Sequence, residues 1–148
     1  MKKYLIIDCT NGSGYSSPTV SILGDRQSAY DLYYRNVGEY VVRGHNLEEQ
    51  GFEGNHLYVL FEDGEGNHGC HIIEVEEKQM WIIDGNFSNE VWQMEDTHYI
   101  EDALDELNIT CNKDDESEFW IEEDSHEACI AHAECQDSGT HYTIIQIK

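Results

Sequence analysis

Short apolar or aromatic stretches alternate with clusters of turn-forming polar residues along this chain, a pattern of strands more than of long helices. Residues 3–9, 56–62, 70–76, 79–83, 117–123, 127–135 and 140–147 each read as a strand. Asp63-Gly64-Glu65-Gly66-Asn67 and Gln136-Asp137-Ser138-Gly139 are hairpin loops between neighbouring strands, so the sheet is mostly antiparallel. Two stretches carry helical spacing instead. Asp25–Asn36 places Ala29, Leu32 and Tyr33 on one side. Asp96–Leu107 places Ile100, Ala103, Leu104 and Leu107 at i, i+3, i+4 and i+7, with Asp96 or Thr97 as N-cap. Residues 37–55 give one short strand at Glu39–Val42 and then a loop. The tetrapeptide Glu-Gly-Asn-His stands at both 53–56 and 65–68, too brief a recurrence to mark a structural repeat. The expected fold is α+β, a mostly antiparallel sheet of about five to seven strands with two helices packed on one face.

The 148 residues include one proline, Pro18, and no Gly/Ser linker, so a single acidic α+β domain over 1–148 is expected. An apolar fraction of 39 %, with nine Tyr, four Phe and three Trp, suffices for a core and excludes an acidic disordered tail. No apolar run is long enough to span a bilayer, and Tyr4–Ile7 is too short for a signal-peptide core, which points to the cytoplasm. Five cysteines, at 9, 70, 111, 129 and 135, are an odd count and fit reduced thiols there.

Charge changes the picture most. Thirty-one Asp and Glu against eight Lys and Arg leave a formal charge of −23. After residue 74 there are 3 basic and 20 acidic residues, a net −17 on the C-terminal half. Glu101 with Asp105 and Asp102 with Glu106 form like-charge i, i+4 pairs on the second helix, an arrangement that stability alone would not choose. On the following strand, alternation puts Glu116, Glu118, Trp120, Glu122 and Asp124 on one face and Phe119 and Ile121 on the other. Spread over half the surface expected for this mass, the −17 is one charge per roughly 230 Å². Duplex DNA shows one per roughly 110 Å². Such a surface repels nucleic acid and anionic lipid directly and attracts a basic groove.

In composition and size the chain resembles the acidic phage inhibitors of restriction and CRISPR nucleases. The resemblance implies a non-enzymatic, charge-mimicking inhibitor of phage or mobile-element origin, whose partner is a basic nucleic-acid-binding protein such as a defence nuclease. Glu101, Asp102, Asp105, Glu106, Glu116, Glu118, Glu122 and Asp124 are the expected contact residues, with Trp120 as anchor. Oligomeric state stays open, though like-charged faces exclude a dimer through this half.

Other chemistry is thinner. Residues 84–95 place Asp84, Asn86, Ser88, Glu90 and Glu95 at positions 1, 3, 5, 7 and 12 of a loop that resembles a calcium-binding EF-hand. Position 6 is Asn89 where such loops have glycine, and a strand precedes it where a helix belongs, so calcium is the alternative to no cofactor. His126, Cys129, His132 and Cys135 recur every three residues, a spacing that does not converge on zinc from either a strand or a helix. Cys129, Ala131, Ala133 and Cys135 instead read as the small inward face of a strand. Cys70 between His68 and His71 has none of the context of an activated nucleophile, and Asn11-Gly12-Ser13-Gly14 lacks phosphate-loop spacing. The chain is therefore expected not to be an enzyme. Eight histidines in so negative a field are expected to hold protons more readily than isolated ones.

Overall fold

The structure is a computed structural model that describes residues 2–12, 16–63, 66–84, 90–94, 117–135 and 140–148. The chain divides into two compact units, Met1–Glu76 and Glu77–Lys148. The first contains β1 (Lys3–Gly12), β2 (Ser16–Leu23), α1 (Arg26–Val42), β3 (Asn46–Glu53), β4 (His56–Asp63) and β5 (Gly66–Val75). The second contains β6 (Met80–Asp84), β7 (Glu90–Met94), β8 (Ser117–Asp124), β9 (Ala128–Cys135) and β10 (Thr140–Ile147). Each unit forms one antiparallel five-stranded sheet, in the order β2-β1-β5-β4-β3 and β7-β6-β10-β9-β8.

These orders are the same order, and the registers agree as well. Ile6 pairs with Ile72 and Ser21 in the first unit, and Ile82 pairs with Ile144 and Trp92 in the second. His56 opposite Ile73 corresponds to Ile130 opposite Ile145. Each outer edge strand also carries a bulge, though not at the same place: β3 between Leu47 and Glu49, opposite Phe61 and Leu60, and β8 between Ile121 and Glu123, opposite Ala131 and Ile130. The protein is thus an internal structural repeat. Leu5-Ile6-Ile7-Asp8 and Trp81-Ile82-Ile83-Asp84 are its clearest trace in the sequence. Glu-Gly-Asn-His is not part of it, because its two copies fall within one unit.

The expectation of one sheet is therefore corrected to two sheets of five strands. Three strands escaped the pattern reading. β2 is a weakly alternating edge strand interrupted by Pro18, β3 is almost wholly exposed, and β7 lies inside the loop with calcium-like spacing. Among the described residues α1 is the one helix. Asp96–Leu107, the second expected helix, lies outside the described residues, in the chain between β7 and β8 as α1 lies between β2 and β3.

Helix α1 begins at Asp25, whose carboxylate accepts the Ser28 backbone N–H at 2.9 Å. It runs to Val42 and absorbs the strand expected at Glu39–Val42, because Tyr40 is buried against the sheet. A Schellman turn ends it. Gly44 stands at φ 79 and donates to the Val41 carbonyl, and His45 donates to the Tyr40 carbonyl, each at 3.1 Å. The helix packs on β1, β5 and β2, enclosing Ala29, Tyr33 and Tyr40 with Tyr4, Ile6, Phe61, Cys70 and Ile72. On the other face of the same sheet Leu5, Ile7, Ile73 and Val75 are also fully buried, which is why β1 and β5 read as near-continuous apolar runs. In the second unit Met80, Ile82, Cys129, Ala131, Ala133 and Ile144 form the corresponding cluster, so the small inward face of β9 is as read for its described residues.

Two glycines of this helix respond oppositely to a methyl group. Gly44→Ala forces a left-handed Ala and is expected to cost about 1–2 kcal/mol. Gly38→Ala, mid-helix with open space around the added carbon, is expected to stabilise by about 0.5–1 kcal/mol. Urea unfolding midpoints of the two variants check both signs.

Candidate functional site

Among the described residues each sheet ends on two edge strands, β2 and β3 in the first unit and β7 and β8 in the second, and β3 and β8 are the edges of the outer hairpins. Cross-strand register assigns the faces. In β3, Leu47 opposes Phe61 and Phe52 opposes Leu57, so both lie on the α1 side of the sheet. Glu49 opposes Leu60, Gly51 opposes Tyr58 and Glu53 opposes His56, on the other side. The bulge at Glu48 produces this sorting: without the extra residue Leu47 and Phe52 would fall on opposite faces.

The bulge in β8 has the reverse effect on the expected acidic row. Trp120 opposes the buried His132, and Glu122, the bulged residue, turns toward the same face. Asp124, past the bulge, opposes Cys129 on the other face and pairs with Lys148. One row of Glu118, Trp120, Glu122 and Asp124 is therefore corrected to a split one. Glu118 pairs with Glu134 in backbone register. Glu101, Asp102, Asp105, Glu106 and Glu116 lie outside the described residues.

Trp120 is not simply presented to solvent either. Its ring stacks on His132 at 5.3 Å and meets His141 edge-on at 5.6 Å, leaving it 39 % exposed. His132 Nε2 lies 2.8 Å from Glu122 Oε2, while its Nδ1 lies 3.1 Å from His141 Nε2 and 3.2 Å from Thr143 Oγ1. A carboxylate only accepts, so Nε2 of His132 donates; in the neutral ring Nδ1 then accepts from its two neighbours. On the equivalent face of the first unit, Tyr58 stacks over His71 and donates to Glu49 Oε1 at 3.1 Å. His56 Nε2 lies 2.8 Å from His71 Nδ1. Each sheet thus ties an edge-strand carboxylate, an aromatic ring and a histidine pair into one polar network. Against protein-family models, curated proteins and solved structures alike, the chain finds no match.

These networks are structural in their chemistry. Burial holds His56 down to about 4, and burial with the neighbouring His132 holds His141 down to about 4. For these two histidines desolvation outweighs the negative field that was expected to raise them. Cys70 shares a face with Asp8, whereas its neighbour His71 points to the other, and burial pushes the Cys70 thiol far up. A thiol so protonated is a poor nucleophile. Asp8 itself is pushed up by burial, against the hydrogen bond that it accepts from Tyr40 at 2.5 Å. Asp84 and Glu90 oppose each other across β6 and β7, so strands flank the calcium-like loop, and Asn86, Ser88 and Glu95 lie outside the described residues. Among the described residues no group of three or more His, Cys, Asp and Glu is placed to hold a metal ion, and no helix is long and apolar enough to cross a membrane.

The sequence reading passed over β3 although a signal was present. No Lys or Arg occurs from residue 44 to 77, a stretch with nine carboxylates. From 114 to 147 there is again none, with ten. Those two stretches contain β3–β5 and β8–β10, the same three strands of each unit.

Two outcomes follow. A Cβ on Gly51 would stand 2.5 Å from the Tyr58 hydroxyl oxygen and 2.6 Å from Cζ. Gly51→Ala is therefore expected to destabilise the wild type by about 1–3 kcal/mol and to be near neutral beside Tyr58→Ala, a coupling that a double-mutant cycle measures. For pH, an unfolded chain takes up protons on histidine near 6.5, whereas folded His56 and His141 wait until about 4. Their contribution to stability is complete above 6.5 and is lost as pH falls toward 4. Urea midpoints across that range should show it, with His56→Gln and His141→Gln each flattening the slope.

Proposed function

We propose that this chain is a non-enzymatic acidic binding protein that occupies the basic groove of a nucleic-acid-binding protein and excludes its nucleic acid. A defence nuclease is the partner of first choice, and a phage or mobile element the source, as for anti-restriction and anti-CRISPR inhibitors. The observation that supports this most is the sorting of charge. Unit Met1–Glu76 has 5 basic and 12 acidic residues, net −7, and unit Glu77–Lys148 has 3 and 19, net −16. Within both, the last three strands belong to a stretch without any Lys or Arg. Carboxylates at that density gain from a basic groove the counterion release that phosphates gain. Apart from Lys3 of β1, no strand of either unit contains a Lys or Arg.

Retention of cellular proteins on the immobilised chain at about 50 mM and 500 mM salt tests the reading. The expected result is capture of a nuclease or another DNA- or RNA-binding protein that nucleic acid displaces. Replacing Glu118, Glu123 and Glu127 together by Lys should weaken that capture at least about tenfold, since summed charge sets encounter and rim charges act weakly one at a time. Capture of salt-labile basic proteins that nucleic acid does not displace overturns it.

A further inference from the structure

The two hairpin edges are equivalent in topology but not in what they present. On β8, Trp120 stacks on its own sheet, Glu122 bonds His132 and Asp124 pairs with Lys148, while Ile121, which stands where Phe52 stands on β3, is 55 % exposed. On β3, seven of eight residues are exposed, including Leu47 at 55 % and Phe52 at 67 %. Large apolar side chains that stand out from an unpaired strand edge are an aggregation hazard that soluble proteins normally remove. Here they are kept, and the bulge at Glu48 places them together on the α1 side while Glu49 and Glu53 take the other.

We propose that β3 is a docking strand, which receives by strand addition an extended segment of the partner in which Lys or Arg alternates with apolar residues. The alternation is dictated by the edge: directly opposed side chains share a face, so a residue beside Leu47 or Phe52 is apolar and one beside Glu49 or Glu53 is basic. Backbone groups along the eight residues of β3 supply the hydrogen bonds, and the two faces supply selectivity. Charge excludes the obvious competitor, a second copy of this strand, because an antiparallel self-pair would bring carboxylates together on one face. This inference rests on the proposed function for the nature of the partner, and it assigns the element that grips it.

An eight-residue peptide of alternating Lys and Val is the probe, with its Glu/Val counterpart and a scrambled Lys/Val peptide as controls, added to the full chain. Amide hydrogen exchange and titration calorimetry read the result. The alternating peptide is expected to slow exchange along β3 and to bind about tenfold tighter than the scrambled one. Glu53→Lys combined with Phe52→Ser should weaken it about tenfold or more, while Asp31→Lys, a charge-matched change on the exposed side of α1, should alter it by less than about twofold. Unprotected β3 amides, equal binding by the β3 variant, loss that follows net charge wherever it is placed, or a dimer that already protects β3 would each overturn the proposal. The two readings fail separately. Capture of a nucleic-acid-displaced partner that ignores Phe52 and Glu53 removes the docking strand and leaves the function. Strand addition by the peptide without any such partner removes the function and leaves the docking strand.

Discussion

Each unit is closed by pairing its first strand with its last. β1 lies against β5 and β6 against β10, in the middle of their sheets. These ladders join residues 54–72 positions apart in the first unit and 58–66 in the second, so their loop-closure cost comes before any reward, and only a strongly apolar pair of strands offsets it. Ile6 opposite Ile72 and Ile82 opposite Ile144 do so from inside the two clusters, with Leu5, Ile7, Ile73, Ile83 and Ile145 equally buried on the reverse faces. Everything else hangs from these pairs. One short hairpin extends each sheet on one side, and the run β5-β4-β3 or β10-β9-β8 extends it on the other.

That arrangement decides where charge can go. A strand buried on both faces rarely admits a carboxylate, and β1 and β6 have one acidic residue each, Asp8 just past the apolar run and Asp84 at the strand's end. Moving outward, one face and then the edge become wet, and the carboxylates accumulate on β3 and β8. An acidic edge resists pairing with its own kind and stays open to a basic strand. The outer hairpins carry part of the charge in both halves, 5 of the 12 acidic residues of Met1–Glu76 and 6 of the 19 of Glu77–Lys148.

The central strands were legible because burial on both faces writes an unbroken apolar run, as in Tyr4–Ile7 and Met80–Ile83. The α1 start was legible from its N-cap and spacing, but its end was not. Tyr40-Val41-Val42 has strand composition, and helix there depends on Tyr40 entering the core and on the left-handed Gly44, neither visible as periodicity. β3 was illegible for a different reason. Asn46-Leu47-Glu48-Glu49-Gln50-Gly51-Phe52-Glu53 breaks alternation at the bulge, so Leu47 and Phe52, which share a face, stand five residues apart where alternation demands an even spacing. The same effect on β8 made an acidic row look continuous when one extra residue splits it. The repeat escaped because what the units share is register and topology, carried by Ile-Ile-Asp and little else.

The two copies also show which features the backbone dictates and which it leaves to side chains. Strand order and central isoleucines recur at equivalent positions, so they belong to the folding unit. The polar networks recur only in kind. Tyr58 and His132 correspond in register, and each bonds an edge carboxylate, Glu49 or Glu122, while the histidines beside them, His56 and His71 in one unit and His141 in the other, do not correspond. A tether kept at one position with different residues answers a demand common to both edges, and the common demand is mechanical: an acidic, bulged edge strand repels itself and needs a tether to its sheet. Glu49 and Glu122 supply it by lending one carboxylate each to the interior. The first unit does this while keeping Leu47 and Phe52 outside, and the second spends its edge tryptophan on the tether. The two edges thus share a tether and differ in the side chains they expose, Leu47 and Phe52 on one and Trp120 and Ile121 on the other.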